Sequence, residues 1–200
     1  GQWRQALAEL AAMRSARLEP GVVAHNAAMS ACERAGSWEW ALALLGGLSL
    51  RADVVTFNTM VSAAGRGRRW PLAVHVLAEM LKSELGQEPD SITFNAAISA
   101  CDRGEQCAHA LALLREMVTT RLRADTVSYN CAIRACGRTR RWEQALGLVA
   151  EMSLEGLEAD VSTLVTAVSA CKRGDCWEQA LAFMEDSPSW GQRSDAKEDG

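Results

Sequence analysis

The sequence predicts an all-α protein, a right-handed α-solenoid of stacked helix–turn–helix repeats. Two series of residues support this prediction: a Trp placed three residues before an Ala, and an aromatic residue placed directly before an Asn. Both recur at intervals of roughly 35 residues, a period typical of helical repeat proteins. With 48% hydrophobic residues, the chain can also build a continuous core.

The Trp series marks the second helix of each unit. Its members are Trp3, Trp38, Trp70, Trp142 and Trp177, which precede Ala6, Ala41, Ala73, Ala145 and Ala180, with Cys107 before Ala110 in the remaining unit. Leu or Val follows every one of these Ala residues, and a Met closes four of the segments. Spacings of three, four and seven place these residues on one face of a helix.

The aromatic–Asn series marks the first helix of each unit. Its openings are residues 54–58 (VVTFN), 91–95 (SITFN) and 126–130 (TVSYN), with a degenerate copy at 22–26 (VVAHN). We expect the hydroxyl residues of these openings to cap the helix; they are Thr56, Thr93 and Ser128. An Asp stands just before each following start.

The two series divide the chain into units. Residues 1–21 form the second helix of a truncated repeat, 22–53, 54–90, 91–125 and 126–160 are full repeats, 161–186 are a partial repeat, and 187–200 are a disordered polar tail. One helix pair cannot bury its apolar face alone, so the units are expected to stack into a superhelix with a concave inner face. Because neither end has a polar capping helix, we expect the chain to be a piece of a longer protein.

The units resemble the pentatricopeptide repeat family over residues 1–186. The resemblance depends on the opening at 54–58, the Ala145-Leu146 pair, Met152 and the Glu-Pro-Asp at 88–90. The tetratricopeptide family lacks this β-branched, aromatic, Asn opening. The resemblance implies single-stranded RNA binding, one nucleotide per repeat, in organellar RNA processing, stability or translation, and a location in the mitochondrion or chloroplast.

The resemblance also implies which residues read the RNA. The base is chosen by the fifth residue of a unit together with the last, which gives the pairs Asn26/Asp53, Asn58/Asp90, Asn95/Asp125 and Asn130/Asp160. In this family the Asn/Asp pairing reads uracil, and cytosine less well. The second residue packs against the base, and here these residues are Val23, Val55, Ile92 and Val127. The alternative is that each Asn only satisfies backbone groups near a helix N-terminus.

The thirteenth place of every unit is Arg: Arg34, Arg66, Arg103, Arg138 and Arg173. Each would complement the dipole at the C-terminal end of the first helix. The resemblance implies a second role, contact with RNA phosphates. The net charge of −4 is unusual for a nucleic-acid binder. A basic inner stripe combined with acidic outer helices would reconcile the charge with RNA binding.

Other residues are interpreted as structural. A Cys occupies the eleventh place in four units (Cys32, Cys101, Cys136 and Cys171), and we expect these side chains in the core, together with the Trp series. We find no catalytic constellation and no metal-ligand spacing, so we predict neither an enzyme nor a bound cofactor. We also predict no membrane contact, because no apolar run is long enough to span a bilayer.

Two other functions stay open. The repeats could be a monomeric scaffold that binds protein partners on the same surface, which would suit the acidic balance. They could also be the targeting module of an RNA-modifying or RNA-cleaving enzyme whose catalytic domain lies elsewhere. The fifth unit has Val165 where the Asn would stand, so base reading there is in doubt.

Overall fold

A computed structural model describes residues 2–48, 52–82, 88–174 and 178. Within these residues the chain forms ten helices and no strand: α1 Gln2–Ser15, α2 Val22–Ala35, α3 Trp38–Leu48, α4 Val54–Arg66, α5 Trp70–Lys82, α6 Ser91–Arg103, α7 Cys107–Thr119, α8 Thr126–Arg138, α9 Trp142–Leu154 and α10 Val161–Arg173. None of them has the length and apolar character needed to cross a membrane. The predicted tail at 187–200 and most of the partial repeat beyond 174 lie outside the described residues.

The helices stack as repeated pairs. The first helices of the units (α2, α4, α6, α8 and α10) contact one another in chain order and form a continuous row, called here the first-helix row. Each second helix from α3 to α9 packs against the first helix of its own unit and against that of the next. Every unit therefore covers the apolar faces of its neighbours, and the fold is an all-α repeat solenoid.

Four of the first helices, α4, α6, α8 and α10, begin with a cap supplied by the last residue of the preceding unit. Asp53 is the N-cap of α4, and its carboxylate accepts a hydrogen bond from the Thr56 N–H, while the Thr56 hydroxyl accepts one from the Asp53 N–H. The same capping box is formed by Asp90 with Thr93 and by Asp125 with Ser128. The prediction that the hydroxyl residues are themselves the caps is therefore wrong. They stand at the third helical position, where they complete a cap whose main group is the Asp.

Small and sulfur-containing side chains fill the centre of the stack. Ala residues dominate the buried set, and the four eleventh-place cysteines are fully buried, which confirms the prediction that they belong to the core. Trp3, Trp38 and Trp70 are partly buried and pack on the margin of this core rather than inside it, where the sequence predicted them.

A tight contact between a Trp and a Gly joins successive units. A Cβ atom placed on Gly104 would collide with the Trp70 ring, and the same holds for Gly67 against Trp38 and for Gly174 against Trp142. Gly104 has an ordinary negative φ of −86°. The glycine is therefore needed to make room for the ring rather than for its backbone freedom.

Candidate nucleic-acid interface

The structure brings the fifth and the last residue of a unit together. The Asn26 Nδ2 donates to Asp53 Oδ1 over 3.1 Å, and the Asn58 Nδ2 donates to Asp90 Oδ1 over 3.1 Å. The Asn95 Nδ2 lies 3.1 Å from Asp125 Oδ2. Because each Asp caps the next first helix, each pair bridges two neighbouring units of the first-helix row.

A hydroxyl of the next unit closes the other side of each amide. The Thr56 Oγ1 lies 2.7 Å from Asn26 Oδ1, and the hydroxyls of Thr93 and Ser128 approach Asn58 Oδ1 and Asn95 Oδ1 in the same way. The alternative that these Asn side chains satisfy backbone groups of their own helix does not describe these three units. Their amides bond to side chains of the junction between units.

These contacts determine which way the amide faces. A carboxylate can only accept hydrogen bonds, so the Asn nitrogen must face the Asp, and the Asn oxygen faces the hydroxyl. The amide nitrogen has two hydrogens, and one of them is used by the Asp. Each of the three Asn residues is left with one N–H to offer to a ligand.

The fourth pair differs from the other three. The pKa of Asp160 is lowered, chiefly by hydrogen bonds from the backbone and hydroxyl of Thr163, with the Asn130 side chain contributing as well. The Asn130 Oδ1, however, is buried without a hydrogen-bond partner among the described residues. The Asn130 oxygen therefore lacks the hydroxyl donor that the other three Asn oxygens have.

Hydrogen bonding keeps the Asp side chains ionised. Burial acts to raise the pKa of Asp53 and Asp90, but hydrogen bonds from the hydroxyl and N–H of the third helical residue and from the Asn amide outweigh it. The net effect is a pKa below the ordinary value of 3.8 for both groups. The carboxylates therefore act as charged acceptors that hold the amides at neutral pH.

The second-place residues form an exposed apolar series beside these pairs. Val23, Val55, Ile92 and Val127 are between 55% and 84% exposed. Each lies three residues before its Asn, on the first turn of the same helix. Large β-branched side chains so exposed, and repeated in register, provide flat apolar surface next to the polar pair.

The thirteenth-place arginines do not share one environment. The Arg66 Nε lies 3.1 Å from Glu33 Oε1, and the Arg138 Nε lies 3.0 Å from Asp102 Oδ1. Arg103 donates to the Ser99 hydroxyl over 3.1 Å. Within the described residues, Arg34 and Arg173 make no ion pair.

The sequence analysis missed the cluster around Asp102. This carboxylate is 1% exposed and binds two arginines of the next unit, Arg134 over 2.6 Å and Arg138 over 3.0 Å. Arg134 stands at the ninth place, where the other units have Ser, and Asp102 stands at the twelfth place, where the following unit has Gly137. Comparing the ninth and twelfth places across units would have revealed this pair of substitutions.

A comparison with known families identifies the repeats. The model of the PPR repeat family matches residues 52–103 and 124–173, together just over half of the chain. The chain belongs to the pentatricopeptide repeat family. No curated protein matches its sequence.

Solved pentatricopeptide repeat structures share the fold. The chain superposes on the maize protein PPR10 with a TM-score of 0.75 at 19% identity, over 86% of this chain and 25% of that one. For the same protein in complex with an 18-nt psaJ RNA element, the TM-score is 0.73 at 18% identity, over 88% and 26%. The chain thus spans about a quarter of the maize protein.

A second pentatricopeptide repeat structure is shorter. The PPR domain of the Arabidopsis thaliana protein-only RNase P 1, in complex with tRNA, matches with a TM-score of 0.64 at 14% identity, over 79% of this chain and 86% of that domain.

Among the described residues of our chain, no three His, Cys, Asp or Glu side chains are arranged to hold a metal ion.

Proposed function

We propose that this chain binds single-stranded RNA, one base per repeat, and prefers uracil, then cytosine. The observation that carries the proposal is the row of Asn–Asp pairs at successive unit junctions, each beside an exposed Val or Ile. Both series follow the period of the repeat, so a strand lying along the first-helix row would meet an equivalent surface at each step. Single-stranded bases are read in this way by helical repeats, through their exposed edges.

The hydrogen-bond arrangement supports a preference for uracil, then cytosine, over adenine. Each of Asn26, Asn58 and Asn95 has one amide N–H to offer, and a carbonyl oxygen is its natural acceptor. Uracil has two carbonyl groups and cytosine has one. Adenine has no carbonyl group. Its amino group is a hydrogen-bond donor and would face the N–H of the Asn, which is also a donor.

The arginines supply the phosphate contacts in this proposal, with unequal strength. Arg34, Arg103 and Arg173 carry charges that no carboxylate neutralises among the described residues. Arg66 and Arg138 share theirs with Glu33 and Asp102. We therefore assign the backbone contacts mainly to the first group, and these charges account for RNA binding by a chain whose net charge is −4.

Membership of the pentatricopeptide repeat family supports a biological setting for this chain. We propose a role in organellar RNA processing, stability or translation, in the mitochondrion or chloroplast. The maize PPR10 structure with an RNA element and the Arabidopsis PPR domain with tRNA support RNA as the ligand class. The chain acts as a monomeric binding module rather than as an enzyme, and no cofactor takes part.

Fluorescence anisotropy tests this proposal. The 200-residue chain is titrated into labelled U-rich, C-rich and A-rich RNAs of equal length at two salt concentrations. We expect affinity to fall in the order U, C, A and to weaken as salt rises, because phosphate contacts release counterions. A folded helical chain that binds none of the three RNAs would contradict RNA binding and favour the protein-scaffold function.

A further inference from the structure

The junction between the third and fourth units is built differently from the others. At three other junctions a Trp of one second helix packs against a Gly that follows the next first helix, as Trp70 does with Gly104. Here Cys107 stands in the Trp position and Thr139 in the Gly position. Replacing the indole by a small thiol leaves room in this junction for a second sulfur.

Two thiols meet in that space. The Sγ atoms of Cys107 and Cys136 are 2.8 Å apart, and both side chains are buried. A disulfide has an S–S distance of about 2.05 Å, so the two sulfurs lie less than about 1 Å beyond bonding distance. Cys107 is the first residue of α7 and Cys136 lies in the last turn of α8, so two packed helices hold the sulfurs in place.

The neighbours of the two thiols bear on whether the pair could instead bind a metal ion. Among the described residues, no further His, Cys, Asp or Glu completes a set of metal ligands with these thiols. The Cys107 sulfur also lies 3.4 Å from the amide oxygen of Gln144. Burial, together with the hydrogen bond from Cys107, raises the pKa of Cys136. Cys136 is therefore a protonated thiol at neutral pH, although the positive charge of Arg141 acts in the opposite direction.

We propose that Cys107 and Cys136 are an oxidation site at which a small-molecule disulfide, such as oxidised glutathione, forms a disulfide bond between the third and fourth repeats. The Cys107 sulfur loses its proton and attacks one sulfur of the oxidant, which releases one glutathione as the leaving thiol. The Cys136 sulfur then loses its proton, attacks the Cys107 sulfur of the mixed disulfide and releases the second glutathione. Two protein thiols are oxidised, and one small-molecule disulfide is reduced to two thiols.

The order of attack follows from position. Cys107 is 3% exposed at the start of its helix, whereas Cys136 is fully buried in the first-helix row. A fraying first turn of α7 exposes Cys107 to the oxidant before any larger opening is needed. The reaction is consequently slow in the native state. Its product covalently joins two units that are otherwise held by packing, hydrogen bonds and the ion pairs of Asp102.

Digestion with trypsin after oxidation tests the proposal. The chain is incubated with oxidised glutathione, remaining thiols are blocked, and the peptides are analysed by mass spectrometry without reduction. We expect residues 104–115 linked to residues 135–138, a pair that disappears on reduction. Cys131 falls in the separate peptide 124–134, so a link to it is distinguished from a link to Cys136.

Thermal unfolding gives an independent readout. We expect the oxidised chain to melt about 5 °C above the reduced chain, because the crosslink restricts the unfolded state. The variants Cys107→Ser and Cys136→Ser should lose this shift, and the matched variant Cys101→Ser should keep it. The Cys136→Ser variant should stop at a stable glutathione adduct on Cys107. If the wild-type chain also gives only such adducts, or if both of its thiols stay free, the proposal is overturned.

Discussion

At the scale of single residues, the Asp that ends each unit joins two tasks. Asp90 caps α6 with one carboxylate and orients the Asn58 amide with the same group. The resemblance to the pentatricopeptide repeat family implied that Asn and Asp act together. It did not reveal the hydroxyl that closes the amide, because Thr93 was interpreted as the cap itself. A one-dimensional pattern does not distinguish a cap from the third residue of a capping box when both can bond to the same backbone.

The lowered pKa of Asp53 and Asp90 predicts acid sensitivity. A carboxyl whose pKa is lower in the folded state stabilises the fold fully above its ordinary value of 3.8, and this contribution is lost as pH falls through the folded pKa. We expect the melting temperature, measured by circular dichroism, to decrease once the pH is lowered below about 4.

A matched variant isolates this effect from other carboxyl groups. Asn is as good an N-cap as Asp but does not titrate. The Asp90→Asn variant should therefore lose less stability than wild type between pH 5 and pH 3, in the same circular dichroism experiment. An equal loss in both chains would show that Asp90 is not a source of the acid sensitivity.

At the scale of helices, the contact between Trp and Gly sets the distance between units. The Gly104→Ala substitution places a methyl group in the Trp70 ring, and we expect it to cost about 1–3 kcal/mol of unfolding free energy through overpacking. Urea denaturation measures the loss. The repeat pattern predicted the Trp as a core residue, but the Gly partner lies in the turn of the next unit, outside the helical periodicity.

Gly147 provides the control for that substitution. It lies inside α9, and a Cβ added there meets nothing within 4 Å. The Gly147→Ala variant should be more stable than wild type by about 0.5–1 kcal/mol, because Ala favours the helix. If both alanine variants shifted stability in the same direction, the steric account of Gly104 would be wrong.

The buried Asp102 predicts an asymmetry among variants of its cluster. Removing both arginines, as Arg134→Ala with Arg138→Ala, leaves a buried carboxylate without a cation and should cost about 3 kcal/mol. Adding Asp102→Ala removes that charge, so the triple variant should recover part of the loss. Denaturant unfolding compares the three chains. A triple variant no more stable than the double variant would contradict a cost arising from the unpaired charge.

At the scale of the whole molecule, the periodicity of apolar residues predicted the helices better than the regular Arg series predicted the ion pairs. Apolar spacing predicted helices that begin at Val54, Ser91 and Thr126, because burial of one face imposes the same pattern on every unit. The Arg series was equally regular in sequence, yet Glu33 and Asp102 pair with only some of its members. Whether an Arg forms an ion pair depends on which residue of the neighbouring unit lies beside it. The series of thirteenth-place residues does not contain that information.

The unequal arginines predict unequal salt dependence. In RNA titrations at several salt concentrations, Arg103→Ala should reduce the slope of log affinity against log salt by about 1, since one phosphate contact is lost. Arg66→Ala should reduce it less, because Glu33 already neutralises part of that charge. A larger reduction for Arg66→Ala would reverse the assignment of phosphate contacts.

The central claim is that the Asn–Asp pairs read bases, and Asn95→Val tests it most directly. Val already occupies the same place in the fifth unit, as Val165, where α10 still forms. The measurement is the ratio of affinities for U-rich and A-rich RNA in wild type and variant, with the melting temperature as a check on folding. We predict that the ratio falls in the folded variant, while binding to A-rich RNA changes little. An unchanged ratio would contradict base reading at Asn95 and leave the row of Asn–Asp pairs a purely structural junction.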